Sequence, residues 1–134
     1  MILVDSSVWI DYFNGRATPE TDKLDALLGE ELLGIGDLIL TEVLQGFRSD
    51  ADYRTARRLL TALPMMGMLG SERALKSADN FRALRKRGIT IRKTVDAVIA
   101  TFCIEEGHSL LFSDGDFLPF VKHLGLQRVP TTLS

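Results

Sequence analysis

Short aliphatic runs, too brief for helices, recur along the chain, and each is followed by a stretch with helical spacing. The runs are ILV (2–4), LLGIG (32–36), MMGML (65–69), SLLF (109–112) and LQRV (126–129). Strands joined through helices pair in parallel, because a parallel neighbour can be reached only by a crossover connection. The helical stretches carry their own punctuation. VWIDYF ends at Asn14-Gly15, and Thr18-Pro19 opens a helix with Leu24, Leu27, Leu28 and Leu32 on one stripe. Asp37 can cap LILTEVLQ, which Gly46 closes, and Asp50 opens a helix that Pro64 stops. Ser71 begins a long helix ending at Gly88, Thr94 can cap VDAVIATFCIEE before Gly107, and DFLPFVKH is a short helix. The expected fold is a three-layer α/β/α sandwich with a central, mainly parallel sheet. At 134 residues it forms one domain over 1–134, without linker, repeat or low-complexity segment.

Composition narrows the class. Hydrophobic residues make up 46% and charged residues 25%, as expected for a globular domain rather than a disordered chain. No apolar run approaches the roughly 18 residues of a membrane span. Asp5 interrupts the first apolar stretch after three aliphatics, so no secretory signal is expected. Cys103 is single, which excludes an internal disulfide and fits a reducing cytoplasm. It lies in AVIATFCI, where packing suits it better than nucleophilic chemistry.

Four acids stand in unusual company. VDSS and LLFSDGD share one grammar: an apolar strand, then acid and small hydroxyl residues. In a parallel sheet this places Asp5 and Asp114 on the same edge, where open α/β sheets bind their ligands. Glu42 in LILTEVLQGF and Asp96 in TVDAVIATFCI each interrupt a largely apolar helix. Each also has a structural explanation: Asp5 and Asp114 as helix caps, Glu42 on an exposed helix side, Asp96 as a favourable first-turn acid. Brought together, the four would repel. Two unit charges about 4 Å apart cost about 4 kcal/mol at an effective dielectric of roughly 20. Such a cluster needs raised pKa values, cationic side chains or a metal. Oxygen ligands without His or Cys suit Mg²⁺ or Mn²⁺, and neither His108 nor His123 has metal-motif spacing.

VDSSVWIDYF, ILTEVLQGF and TVDAVIATFCIEEGHSLLFSDGDF resemble, in order, the motifs of PIN-domain ribonucleases, specifically the VapC-type toxins of toxin–antitoxin pairs. The resemblance covers nearly the whole chain, except that 47–93 has no matching signature. It implies a PIN-like fold and metal-dependent endoribonuclease activity, with Asp5, Glu42, Asp96 and Asp114 as the catalytic, metal-binding quartet. Asp116 matches an additional acid that the resemblance adds to the metal-binding set, and it equally suits a cap for the following helix. Ser6 and Ser113 match hydroxyl positions near the substrate. The implied cofactor is Mg²⁺ or Mn²⁺, which would acidify and orient water against a phosphodiester. The implied partners are RNA and a cognate antitoxin, with the chain a homodimer or a hetero-oligomer with that antitoxin, free of membrane.

Two further features bear on partners. The net charge of −2 conceals segregation: residues 54–93 hold eleven basic and two acidic side chains, a balance of +9. This block is either a track for an RNA backbone or a set of solvated helix faces. Arg92 and Lys93 in it lie just before Asp96. Trp9, Tyr12 and Phe13 cluster on one face of the first helix, as domain core or as an apolar anchor for an antitoxin helix.

Rival readings fit less well. A phosphatase of the haloacid-dehalogenase class would carry a second Asp where Ser7 stands, and a receiver domain would need an acidic pair earlier. A housekeeping RNA-processing nuclease or a non-catalytic RNA-binding domain on the same fold stays open.

Overall fold

The computed structural model describes residues 1–30 and 32–131. Strands β1 (Ile2–Val4), β2 (Leu33–Gly36), β3 (Met65–Met66), β4 (Ser109–Leu111) and β5 (Gln127–Arg128) form one sheet in the order β3-β2-β1-β4-β5. Every pairing is parallel, with Val4 opposite Leu111 and Ile2 opposite both Leu33 and Ser109. Helices α1 (Ser6–Phe13), α2 (Pro19–Leu27), α3 (Asp37–Gln45), α4 (Asp50–Thr61), α5 (Ser71–Lys86), α6 (Thr94–Glu106) and α7 (Leu118–Leu124) supply the crossovers. The expected α/β/α sandwich is therefore the observed one.

The central strands read as uninterrupted aliphatics because both their faces are covered. Leu3, Val4, Ile35, Leu110 and Leu111 are all buried. Helix α6 is unusual in having no solvent face over most of its length: the eight residues Asp96–Cys103 are all buried. A helix apolar all round belongs in an interior, and this one packs against α5 and the sheet. Ala97 and Ala100 are small enough for close approach, and Asn80 Nδ2 donates to Thr101 Oγ1 at 3.0 Å across the buried seam. Gly107 ends α6 at φ 71°, the left-handed value that favours glycine at this position.

Some boundaries differ from the sequence expectation. Helix α2 stops at Leu27, so Leu32 lies off its stripe and is 47% exposed; its carbonyl instead accepts from Ile2 N at 2.9 Å, starting the sheet pairing. Strand β3 is two residues long, because Met68 N turns away to Asp37 Oδ1 at 3.0 Å. Helix α6 has Lys93 at its N-cap without a side-chain bond, and Thr94 is the first helical residue. At Gly36 the chain passes from β2 straight into α3. A Cβ there would run into the buried Met68 side chain, which packs directly on the Gly36 backbone.

Candidate active site and metal centre

The parallel register settles where the acids go. Val4 pairs with Leu111, and Asp5 N extends the ladder by donating to Leu111 O at 2.9 Å. Asp5 and Asp114 thus leave neighbouring central strands on the same carboxyl edge. Asp5 is 4% exposed and fills both roles its sequence allowed. Its Oδ2 caps α1 by accepting from Ser7 N at 3.4 Å and from Ser7 Oγ at 2.7 Å, while the same carboxyl faces the cluster. Burial raises its pKa, the Ser7 and Ser6 hydrogen bonds oppose this, and Asp114 adds a smaller upward push.

Glu42 lies half-buried on α3, where Oε1 accepts from Ser6 Oγ at 3.3 Å. Desolvation and then the charge of Asp5 raise its pKa, against a downward pull from Lys93. Asp96 occupies the first turn of α6 and is 4% exposed. Its Oδ2 is buried with no hydrogen-bond partner among the described residues. Desolvation, then Asp5, then Asp114 and Glu42 push its pKa up to about 7, with Lys93 opposing. Asp114 caps the 3-10 turn Gly115–Phe117 by accepting from Asp116 N at 2.9 Å. Asp116 does not cap a helix with its own side chain: its Oδ2 accepts from Arg92 Nε at 3.0 Å.

The donor set has the chemistry of a site for a hard divalent cation. Carboxylate oxygens of Asp96, Asp114 and Asp116 lie within 4.8 Å of one another. A buried, unpartnered carboxylate oxygen costs free energy that a bound cation would repay through coordination. All the oxygens come from carboxylates, the ligand type that Mg²⁺ and Mn²⁺ prefer. The residues fit. Asp5 and Glu42 act electrostatically on Asp96 and stand outside that close triad, which falls within the five acids, Asp5, Glu42, Asp96, Asp114 and Asp116, that the sequence offered as ligands.

The remaining expected residues fall into three groups. Ser6 and Ser113 reach the cluster: Ser6 bonds Glu42, and Ser113 Oγ lies 3.4 Å from Ser7 Oγ. Lys93 and Arg92 also reach it, at opposite ends, through Asp96 and Glu42 and through Asp116 respectively. The aromatic face of α1 is the correction. Trp9 is fully buried and stacks on Phe13 at 5.9 Å, so it is core and not an exposed anchor. Tyr12 and Phe13 are half-buried; Tyr12 Oη donates to Asp25 at 3.2 Å, and Phe13 meets Phe47 edge-on at 5.7 Å.

Sequence reasoning missed Ser7, whose hydroxyl holds Asp5. Its position two residues after the strand-end acid, at the start of a helix, was the available signal. The +9 block is divided by the fold. Arg73 is committed to Glu105 (3.2 Å), Glu106 (2.7 Å) and the Phe102 ring (4.9 Å), and Arg85 lies over Phe81. Burial pushes the Cys103 thiol up to about 12, which suits the packing role expected of it. A 520 Å³ cavity beside Arg73 and Glu105 touches none of the cluster acids.

The sequence profile of the PIN domain matches residues 2–120. Ribonuclease VapC11 of Mycobacterium tuberculosis and VapC ribonuclease Mb1587 of Mycobacterium bovis are each 31% identical to the chain over 129 residues. The match spans 95% of this chain and 96% of theirs. Among solved structures, VapBC2 from Rickettsia felis bound to a promoter DNA fragment is similar, with a TM-score of 0.72 at 18% identity. It covers 96% of this chain and 98% of that one. FitAcB from Neisseria gonorrhoeae gives 0.70 at 14% identity, covering 98% of both chains. At these identities the two structures speak to the fold.

Proposed function

The chain belongs to the PIN-domain family and, within it, to the VapC ribonucleases, and from that premise we propose that it is a metal-dependent endoribonuclease serving as the toxin of a toxin–antitoxin pair. The observation that carries the metal-dependent part is Asp96. A carboxylate is held in the interior with one oxygen unpartnered, amid other acids that drive its pKa to about 7. Such an arrangement is unfavourable for folding and is kept where a cation is to be bound.

Asp96, Asp114 and Asp116 would hold the ion, with Asp5 and Glu42 completing the negative field behind them. A bound Mg²⁺ or Mn²⁺ supplies Lewis acidity toward water and toward the phosphoryl oxygens of RNA. The chain's own residues do the rest. Ser7 fixes the Asp5 carboxylate and Ser6 fixes Glu42, so both acids are oriented before substrate arrives. Lys93 and Arg92, both exposed at the rim, are placed to grip backbone phosphates. Ser113, exposed beside Ser7, offers a hydroxyl to the same path.

The solved relatives include a VapBC2 assembly, and a cognate antitoxin is the partner we assign to this chain. With Trp9 buried, the part of α1 that can meet it is Ile10 with Tyr12 and Phe13. Ile10 is 36% exposed and edges a 70 Å³ notch shared with Val43 and Phe47. No described helix is long and apolar enough to cross a membrane, and the unpaired Cys103 suits a reducing cytoplasm. The test is cleavage of single-stranded RNA by the purified chain with Mg²⁺, with Mn²⁺ and with EDTA, alongside Asp96→Asn. Cleavage that needs the metal and is lost in the variant supports the reading. Full cleavage in EDTA overturns it.

A further inference from the structure

Arg92 occupies an odd position for a surface arginine. Its side chain is 74% exposed, yet its Nε donates to Asp116 at 3.0 Å, and Asp116 is one of the three acids whose oxygens converge. The residues on either side are anchored. Ile91 is buried in the core, and Lys93 is the N-cap of α6. The backbone at 92 is thereby fixed while the arm is free except for that one contact. No described residue accepts a hydrogen bond from its two terminal nitrogens. The charges of Asp116, Asp114 and Asp96 all act on the guanidinium, the same three carboxylates.

We propose that Arg92 is an internal counter-ion of the acidic cluster. It neutralises Asp116 while the cluster is metal-free, competes with the divalent cation for it, and is released when the cation binds. This rests on the metal-dependent reading above. The physical argument is simple. A guanidinium bonded to a carboxylate oxygen and a divalent cation beside the same carboxylate repel, and the ion carries twice the charge. The arginine is the mobile partner, because its arm is exposed and singly bonded whereas Asp116 is tied through its backbone N–H to Asp114. Once released, its planar donor fork is free for a phosphate, which it can bind in bidentate fashion. Metal occupancy and phosphate grip are then coupled through one side chain. Lys93, at the Glu42 end of the cluster, makes no hydrogen bond to a described carboxylate and lacks this latch.

The experiment is Mn²⁺ binding to the RNA-free protein, read by the electron paramagnetic resonance signal of free Mn²⁺. The proteins are wild type, Arg92→Gln, Lys93→Gln, Asp116→Asn and the Arg92→Gln/Asp116→Asn double variant. Arg92→Gln is expected to bind Mn²⁺ about two- to fivefold tighter than wild type, the range for losing one exposed ion pair. The gain is expected to vanish in the Asp116→Asn background and to exceed that of Lys93→Gln. A second readout follows the Arg92 Nε–H resonance in wild type, which should move to a solvent-exposed position as diamagnetic Mg²⁺ is added. Unchanged or weaker Mn²⁺ binding by Arg92→Gln overturns the latch, as does an equal gain in Lys93→Gln or one that survives Asp116→Asn. If wild type binds Mn²⁺ in these cases, the metal-dependent reading stands without the latch. Absence of Mn²⁺ binding in every protein overturns both.

Discussion

Replacing Asp96 with Asn should make the metal-free protein more stable while removing its activity. Moving a carboxyl from its ordinary 3.8 to about 7 corresponds to about 4 kcal/mol at ~1.36 kcal/mol per pH unit. Asp96 itself is buried, but Glu42, Asp114 and Asp116 are half-exposed, and solvent screening at that mouth brings the usable figure to about 2 kcal/mol. The sign follows from proton binding. Folded Asp96 keeps its proton to a higher pH than the unfolded chain does, so its contribution to stability is fully present below about pH 4. That contribution is lost as pH rises toward 7. Asn carries no charge at any pH, so the advantage of the variant grows between pH 4 and 7 and then levels. For 134 residues the unfolding entropy is about 0.28 kcal/mol/K, and 2 kcal/mol becomes about 7 °C in Tm. No described side chain donates to Asp96, so the amide sacrifices no bond. The assay is thermal unfolding in EDTA at pH 8 and at pH 5, where the gain should be clearly smaller. Adding Mn²⁺ at pH 8 should raise the Tm of wild type more than that of the variant. A variant that melts below wild type at pH 8 in EDTA, or equal gains at both pH values, would refute the reasoning.

Other outcomes follow from the same geometry. Asp5→Asn, Glu42→Gln and Asp114→Asn should each lower RNA cleavage at least tenfold while the protein stays folded by circular dichroism; full activity in two of them would remove the shared-site argument. Ser7→Ala frees Asp5 Oδ2 from its 2.7 Å bond and should lower kcat more than it raises KM, because Asp5 loses its orientation; a change in KM alone would count against that role. Neutralising Arg92 and Lys93 together should flatten the slope of log Kd for RNA against log salt by about 1.4, two phosphate contacts on a single strand. Trp9→Ala should cost about 3–5 kcal/mol of stability in urea unfolding, as expected for a large buried aromatic, whereas an exposed anchor would cost almost nothing.

The sheet edge was legible because the signal is local. An aliphatic run that stops on an acid must place that acid at the strand's end, and parallel pairing puts all such ends on one side. Asp5 and Asp114 follow from that alone. Asp96 was legible for a different reason: an acid inside a helix with no polar face has nowhere to go but a buried site. What the sequence withheld was which layer covers which face. Helical spacing groups Trp9, Tyr12 and Phe13, but the packing of α1 against α2 and α3 decides that Trp9 is buried and Phe13 only half so. The basic block was legible as charge and not as surface, since Arg73 is spent on Glu105 and Glu106 some 32 positions away. All five acids were legible as candidates, but not that Asp96, Asp114 and Asp116 would lie closest, because the position of Asp116 depends on a single 3-10 turn beyond β4.

The question that Asp5 raises is resolved by its being one atom group in two environments. As the N-cap of α1 its Oδ2 accepts from Ser7, which favours the ionised form and lets the helix begin directly at the strand end. Burial pushes it the other way and is the largest effect, with a smaller push from Asp114. A cap elsewhere on the chain would face water and feel only the first influence. Placing the cap on the carboxyl edge of two adjacent parallel strands couples the start of α1 to the charge state of the cluster. Binding a cation there should therefore protect the amides of Ser7 and Val8 from hydrogen exchange, and Asp5→Asn should abolish that protection. Equal exchange with and without Mg²⁺ would separate the two roles and leave Asp5 as a cap alone.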